Sequence, residues 1–230
     1  MPKAGRGVLY MVWGQEIEPI LQRSIASVKQ HHPELPIEVV RLDGHGDDPK
    51  LLLQKAQMAE RTPFAETLFL DADTVVLGRL DFGFESAKRF GLACCICESP
   101  WARRYRGLGN AGEMIEYNTG VVFFTEAAKP VFDAWQKLAP EIDSASLFAK
   151  DGKPVVMPAN DQASFAAAVE RTGFSPFVLP LNWNFRYEFQ KSFFGPIKIW
   201  HSYYNVPEVM TQLGDYYRKP DSVIQYVEMK

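Results

Sequence analysis

The chain has 230 residues, 47% of them hydrophobic and 13% aromatic, which excludes a disordered polypeptide and leaves apolar surface for a substantial core. A formal charge of −3 removes the electrostatic case for nucleic acid, whose binding domains carry a basic face, and points to a small-molecule partner. One α/β domain over residues 1–230 is the expected organisation.

Val8 to Trp13 reads as a first strand ending at Gly14. Ile17, Ile20, Leu21, Ile25 and Val28 then recur at helical spacing, so one face of the segment can pack on a sheet before Pro33 and Pro36 break it. A second strand begins at Ile37 in "IEVVRL", and the turn-rich "DGHGDDP" reads as a loop. Leu51 to Glu60 is the next helix and Thr67 to Leu70 the third strand. This βαβαβ order opens a mononucleotide-binding α/β sheet.

Two further strands are expected, at Phe90 to Cys97 and Gly120 to Phe124. The long intervening stretch carries Arg103, Arg104 and Arg106, and reads either as a lid that meets a phosphate or as a solvated loop. Cys94, Cys95 and Cys97 lie along the first of these strands without the paired spacing of a zinc site, so they read as reduced core thiols. Val131, Phe132, Trp135 and Leu138 mark a helix. Another begins near Asn160, a good N-cap, and stops at Gly173. The aromatic-rich tail is expected to be mostly core, with Trp183 and Tyr203 as exposed exceptions. The start "MPKAGRGVLYMVWG" has a short apolar run without a cleavage pattern, and no run reaches transmembrane length. The expected compartment is therefore the cytoplasm.

The segment "ETLFLDADTVVLG" carries most of the functional signal. Leu68, Phe69 and Leu70 form a short apolar run of the kind that is buried on both faces of a sheet, and Asp71 and Asp73 stand at its C-terminal end, where open α/β sheets bind ligands. Residues at i and i+2 of an extended chain share a face, so the two carboxylates can converge on one hard cation such as Mg²⁺ or Mn²⁺. Alternatively, Asp71 attacks a phosphate while Asp73 serves as acid and base.

Two resemblances follow from these residues. The stretch Asp71-Ala72-Asp73-Thr74 resembles the first motif of haloacid dehalogenase-type phosphatases, although that motif opens its fold and is followed by a late acidic metal motif, both lacking here. The βαβαβ unit ending in "LFLDADTVV", followed by "EYNTGVVFF", "NDQASF", "LPLNWNFRY" and "IKIWHSYY", resembles the nucleotide-diphospho-sugar transferases of the GT-A fold. Within them it is most similar to the retaining family 8 group of glycogenin and the bacterial lipooligosaccharide galactosyltransferases.

The GT-A resemblance implies a mixed central sheet flanked by helices, a nucleotide-sugar donor of uridine type and a hydroxyl acceptor. By matching positions, it implies that Asp71, Ala72 and Asp73 meet the donor and that Asp71, Asp73 and His201 hold Mn²⁺ or Mg²⁺. Asn118, Thr119 and Gly120 match the segment that contacts the donor sugar, and Asp161 and Gln162 match a pair beside the reacting sugar carbon. Lys55 matches a basic residue that reaches the sugar or phosphate. Trp13 and Gly14 are expected near the nucleotide, with Tyr10 a weaker candidate.

The tail "HSYYNVPEV" lacks the glycine and the diphosphate-binding lysine that follow the family's late histidine. Arg103, Arg104, Arg106 or Arg186 could replace that cation, and Arg186 could equally form a structural ion pair. Besides a retaining glycosyltransferase, the sequence leaves two alternatives: a degenerate member that binds a glycan or nucleotide without transfer, and a phosphatase with Asp71 as nucleophile.

Overall fold

The computed structural model describes residues 3, 5–44, 48–98, 114–150, 152–157 and 159–229. The arginines at 103, 104 and 106 lie outside the described residues. In chain order the opening elements are β1 (Arg6–Val12), α1 (Glu18–His31), β2 (Ile37–Arg41), α2 (Pro49–Leu53), α3 (Met58–Arg61) and β3 (Glu66–Leu70). There follow β4 (Thr74–Val76), α4 (Asp81–Phe90), β5 (Leu92–Ile96), β6 (Tyr117–Thr125) and α5 (Lys129–Leu138). The remaining elements are β7 (Ser146–Lys150), β8 (Lys153–Met157), α6 (Asp161–Thr172), β9 (Phe177–Leu179), β10 (Ser192–Phe194), β11 (Ile199–His201), α7 (Glu208–Tyr216) and β12 (Tyr226–Glu228).

Six strands form the central sheet in the order β2-β1-β3-β6-β5-β9. The first three are parallel, as the βαβαβ reading requires, while β6 runs antiparallel to both β3 and β5, and β5 is parallel to β9. The sheet is therefore mixed, as expected.

Alternation along the strands divides the core between the two faces. Leu9, Phe69, Val122 and Phe124 join Phe132, Trp135 and Phe165 of α5 and α6 on one side. Val8, Tyr10, Leu68, Leu70, Val121 and Phe123 meet Leu21 and Val28 of α1 and Phe84 of α4 on the other. Each such large side chain, taken fully out of water, stabilises the fold by about 2 kcal/mol before entropy is counted. Leu68, Phe69 and Leu70 are fully buried, in agreement with a strand covered on both faces.

A third cluster gathers much of the C-terminal aromatic content around Phe185, Phe193, Trp200, Met210 and Leu213. It is tied to the segment that follows β3 by β11, which pairs antiparallel with β4 in a separate two-stranded ladder so that Trp200 faces Val75 and His201 faces Thr74. Because β4 directly follows the Asp71-Ala72-Asp73 turn, this small ladder delivers His201 to the carboxylates.

Several boundaries differ from the sequence reading. The expected helix from Leu51 to Glu60 is interrupted: α2 and α3 flank a 3₁₀ turn at Gln54–Gln57 that contains Lys55. The expected strand from Phe90 starts only at Leu92, because Phe90 ends α4 and Gly91, with φ at 83°, reverses the chain between them. Strand β6 begins at Tyr117 and not at the expected Gly120, so Asn118 and Thr119 also belong to it. Trp183 is buried, not exposed, packing its ring 5.9 Å from Phe123, whereas Tyr203 is 65% exposed as expected. Cys94 and Cys95 are buried free thiols and Cys97 is partly exposed. Asn160 caps α6 by accepting from Gln162 N at 2.7 Å, and Gly173 ends it in the left-handed conformation. Among the described residues no helix is long and apolar enough to cross a membrane.

Candidate functional site

Asp71 and Asp73 do not lie on extended chain. They are the first and third residues of a tight turn between β3 and β4, closed by Thr74, which donates to the Asp71 carbonyl through both its amide (3.2 Å) and its hydroxyl (2.8 Å). The turn, and not strand alternation, makes the carboxylates converge. The Asp71 amide is fixed by the Gly120 carbonyl at 2.8 Å, and the Asp73 carbonyl accepts from Ser202 N at 3.0 Å. The carboxylate turn is thereby bolted to β6 on one side and to the end of β11 on the other.

Ligand atoms from Asp71, Asp73 and His201 all lie within 4.8 Å of one another. His201 Nε2 is 3.3 Å from Asp73 Oδ1 and 3.8 Å from Asp71 Oδ2. Two carboxylates and an imidazole suit Mn²⁺ and also admit Mg²⁺. Room for the cluster depends on a missing side chain: a Cβ at Gly120 would overlap His201 Cε1 and stand 2.7 Å from Asp71 Oδ2. The donor set and this cleared space fit a divalent cation.

Lys55 completes the electrostatics. Its Nζ lies 2.6 Å from Asp71 Oδ1, 2.9 Å from Asp71 Oδ2 and 3.2 Å from Asp161 Oδ2, with only 7% of the side chain exposed. It is a buried counter-ion, not a surface lysine. Burial disfavours its charge, but Asp161 and Asp71 outweigh that and hold the ammonium above its ordinary pKa. Burial pushes the Asp71 carboxyl up, against the opposing pull of Lys55 and His201. Asp73 is partly buried, which raises it, yet the charge and hydrogen bond of His201 bring it below the usual carboxylate range.

Asp161 opens α6, where its charge meets the positive helix terminus, and it accepts from Thr119 Oγ1 at 2.6 Å. Gln162 is 3% exposed; its carbonyl oxygen accepts from Asn118 Nδ2 at 2.7 Å and its amide faces Cys97 Sγ at 3.5 Å. Asn118 Oδ1 accepts from Gly120 N at 3.0 Å and from Asn184 Nδ2 at 2.6 Å, and Asn184 Oδ1 lies 2.7 Å from His201 Nδ1. Sequence reasoning did not single out Asn184. The available signal was an amide set among aromatics in "NWNF", 3% exposed in the structure and so obliged to find partners.

Two cavities share the wall formed by Leu52, Lys55, Asp71 and His201. The larger, of about 340 Å³, extends past Asp73 to Trp13, Ile17, Ile20 and Tyr203. The smaller, of about 220 Å³, is bounded by Asn118, Thr119, Asp161, Gln162, Arg186 and Phe189. Trp13, expected near the nucleotide, lines the larger cavity, while Gly14 follows β1 with φ at 76°. Tyr10 is fully buried and bonded to Ser24 Oγ at 2.8 Å, which corrects its assignment near the nucleotide. Arg186 reaches the smaller cavity, its guanidinium 4.3 Å above the Phe189 ring and 3.4 Å from Glu98.

Neither a protein-family model nor a curated protein matches the sequence. Solved structures do match in three dimensions. Mouse xyloside xylosyltransferase 1 superposes with a TM-score of 0.56 at 15% identity, over 87% of this chain and 98% of that one. The glycosyltransferase GlyE of Streptococcus pneumoniae gives 0.52 at 13% identity, over 79% of this chain and 46% of that one. The bifunctional glycosyltransferase WbbM gives 0.50 at 12% identity, over 78% and 39%. With the mixed sheet and its flanking helices, these likenesses show that the chain has the GT-A fold.

Proposed function

We propose that the protein is a metal-dependent glycosyltransferase that moves a sugar from a nucleoside diphosphate donor, a uridine one, to a hydroxyl acceptor. The observation that carries this reading is the convergence of Asp71, Asp73 and His201 on the wall between two cavities of a GT-A fold. The larger cavity, with the apolar faces of Trp13, Ile17, Ile20 and Tyr203, suits the nucleoside, and the smaller one suits the sugar. Asp71, Asp73 and His201 would hold Mn²⁺ or Mg²⁺ between them.

In transfer, the bond from the anomeric carbon to the diphosphate oxygen breaks, and its electron pair leaves with the nucleoside diphosphate. The acceptor oxygen bonds to the same carbon and gives its proton to the departing diphosphate. When bound, the cation supplies positive charge against the negative charge that builds on the leaving group. Lys55, held between Asp71 and Asp161, adds a second positive charge at the junction of the two cavities. The Asp161 carboxylate, oriented by Thr119, stands on the sugar side, where it stabilises oxocarbenium-like charge or orients the acceptor hydroxyl. Asn118 and Gln162, locked to each other, give that cavity a rigid polar floor. Retention of anomeric configuration is the outcome implied by the resemblance to the family 8 enzymes.

The test is release of free nucleotide from a panel of UDP-, GDP-, ADP- and CMP-linked sugars with and without Mn²⁺. Mn²⁺-dependent release from a UDP-sugar, lost in folded Asp71→Asn and Asp73→Asn proteins, is expected. Full release by both variants would overturn the assignment.

A further inference from the structure

The side chains between His201 and Gln162 form a hydrogen-bonded relay whose polarity is set at one point. The Gly120 backbone N–H can only donate, so the Asn118 atom 3.0 Å from it is the carbonyl oxygen. The Asn184 atom 2.6 Å from that oxygen must then be the amide nitrogen. This leaves the Asn184 carbonyl oxygen facing His201 Nδ1 at 2.7 Å, and Nδ1 must carry the proton. In the other direction, the Asn118 amide donates to the Gln162 carbonyl oxygen at 2.7 Å, so every link has the same sense. All four side chains are buried, which removes water as a competing partner.

We infer that Asn184 is a positioning residue that keeps a proton on His201 Nδ1, so that Nε2, which faces Asp71 and Asp73, is the nitrogen given over to a divalent cation. The imidazole of an unconstrained neutral histidine favours a proton on Nε2, the nitrogen that must ligate here. The relay therefore fixes which nitrogen keeps its proton before the cation arrives. It also joins the metal face to the sugar face, since Asn118 and Gln162 belong to the smaller cavity. Outer hydrogen bonds to a ligating histidine are commonly worth about ten- to a hundredfold in metal affinity. The inference rests on the reading of Asp71, Asp73 and His201 as a metal site.

Two measurements test it. In metal-free protein labelled with ¹⁵N-histidine at pH 8, with His201 assigned by a His201→Gln spectrum, Nδ1 of the parent protein is expected to give a protonated-nitrogen shift. In Asn184→Leu the Nδ1 signal is expected to move to an unprotonated-nitrogen shift. Mn²⁺ affinity, followed by electron paramagnetic resonance of free Mn²⁺, should fall about ten- to a hundredfold in Asn184→Leu. It should fall less in Asn184→Asp, whose carboxylate still accepts from Nδ1 but can no longer donate to Asn118. If Asn184→Leu does not fold, the parent spectrum still decides. An unprotonated Nδ1 in the parent protein, or equal Mn²⁺ affinity in folded Asn184→Leu, would overturn the inference while leaving the metal site standing. Failure of the parent protein itself to bind Mn²⁺, with or without UDP, would overturn both.

Discussion

Gly120 and His201 occupy one another's space: the imidazole sits where the side chain of any other residue at position 120 would begin. A Cβ there would overlap His201 Cε1 and lie 3.0 Å from Nδ1, while also pressing on Asp71 Oδ2 at 2.7 Å. The glycine is needed for this close approach and not for its backbone freedom, because it lies in the middle of β6 with its amide bonded to Asn118. Gly120→Ala should cost about 1–3 kcal/mol through overpacking and should displace His201 from the carboxylates. Mn²⁺ titration and urea unfolding of the same preparation would check this. The expectation is a loss of Mn²⁺ affinity with the cooperative transition kept.

Lys55 allows the buried Asp161 and the partly buried Asp71 and Asp73 to share one small region. Asp71 and Asp161 both lie within 3.2 Å of its Nζ, and its side chain is only 7% exposed. Replacing it with methionine keeps the length and leaves the carboxylates without their cation. Metal-free Lys55→Met should be less stable than the parent by about 3 kcal/mol, the usual cost of breaking a buried ion pair from one side. Mn²⁺ neutralises part of the same charge, so it should raise the unfolding midpoint more in the variant than in the parent. Urea unfolding in EDTA and in Mn²⁺ measures both quantities. Equal metal-free stabilities would show that Lys55 does not neutralise this cluster.

The first half of this architecture was readable in the sequence because its elements announce themselves locally. Apolar runs at Val8 and Leu68 and a helical stripe from Ile17 suffice for a parallel βαβαβ unit, and β3 is as buried as its composition requires. The site was harder to read. Asp71 and Asp73 stand out at a strand end, but their convergence comes from the Thr74 turn, and His201 arrives through a β4–β11 pairing across more than a hundred residues. Such pairings depend on tertiary packing that short apolar strands do not encode by period. Helix α4 passed unnoticed because its glycine and charges dilute the pattern, although Phe84 and Ala87 keep a buried face. Asn184 was invisible for a related reason: an amide acquires meaning only when its partners are known.

Tyr10 links the sheet to the site turn through hydroxyls. Its OH lies 2.8 Å from Ser24 Oγ, which in turn lies 3.1 Å from Thr74 Oγ1. Burial raises the Tyr10 phenol well above its ordinary value, with the Ser24 hydrogen bond opposing. The unfolded chain ionises this phenol near pH 10 while the folded chain keeps its proton, so its contribution is intact below that pH and is lost as pH rises above it. Tyr10→Phe should lose about 1 kcal/mol near neutrality for the hydrogen bond. It should also fall less steeply above about pH 10, by up to 1.4 kcal/mol per pH unit. Guanidinium unfolding at pH 7, 9.5 and 10.5 distinguishes this from a simple packing loss, which would leave the pH slope unchanged.

The two cavities make separable demands on binding and transfer. Trp13 lines only the larger and Asp161 only the smaller, although Lys55, Asp71 and His201 border both. Trp13→Ala removes an aromatic face worth about 1–3 kcal/mol to a stacked base, so affinity for UDP with Mn²⁺ should fall by roughly ten- to a hundredfold. Asp161→Asn keeps the shape of the smaller cavity and the Thr119 contact but removes the charge that is proposed to stand beside the reacting carbon. Sugar transfer should then drop by about two to three orders of magnitude with UDP affinity nearly unchanged. Calorimetric titration of UDP and Mn²⁺ alongside a transfer assay gives the comparison. If Asp161→Asn weakens UDP binding as much as Trp13→Ala does, the division into a nucleoside side and a sugar side is wrong, and both cavities serve one ligand.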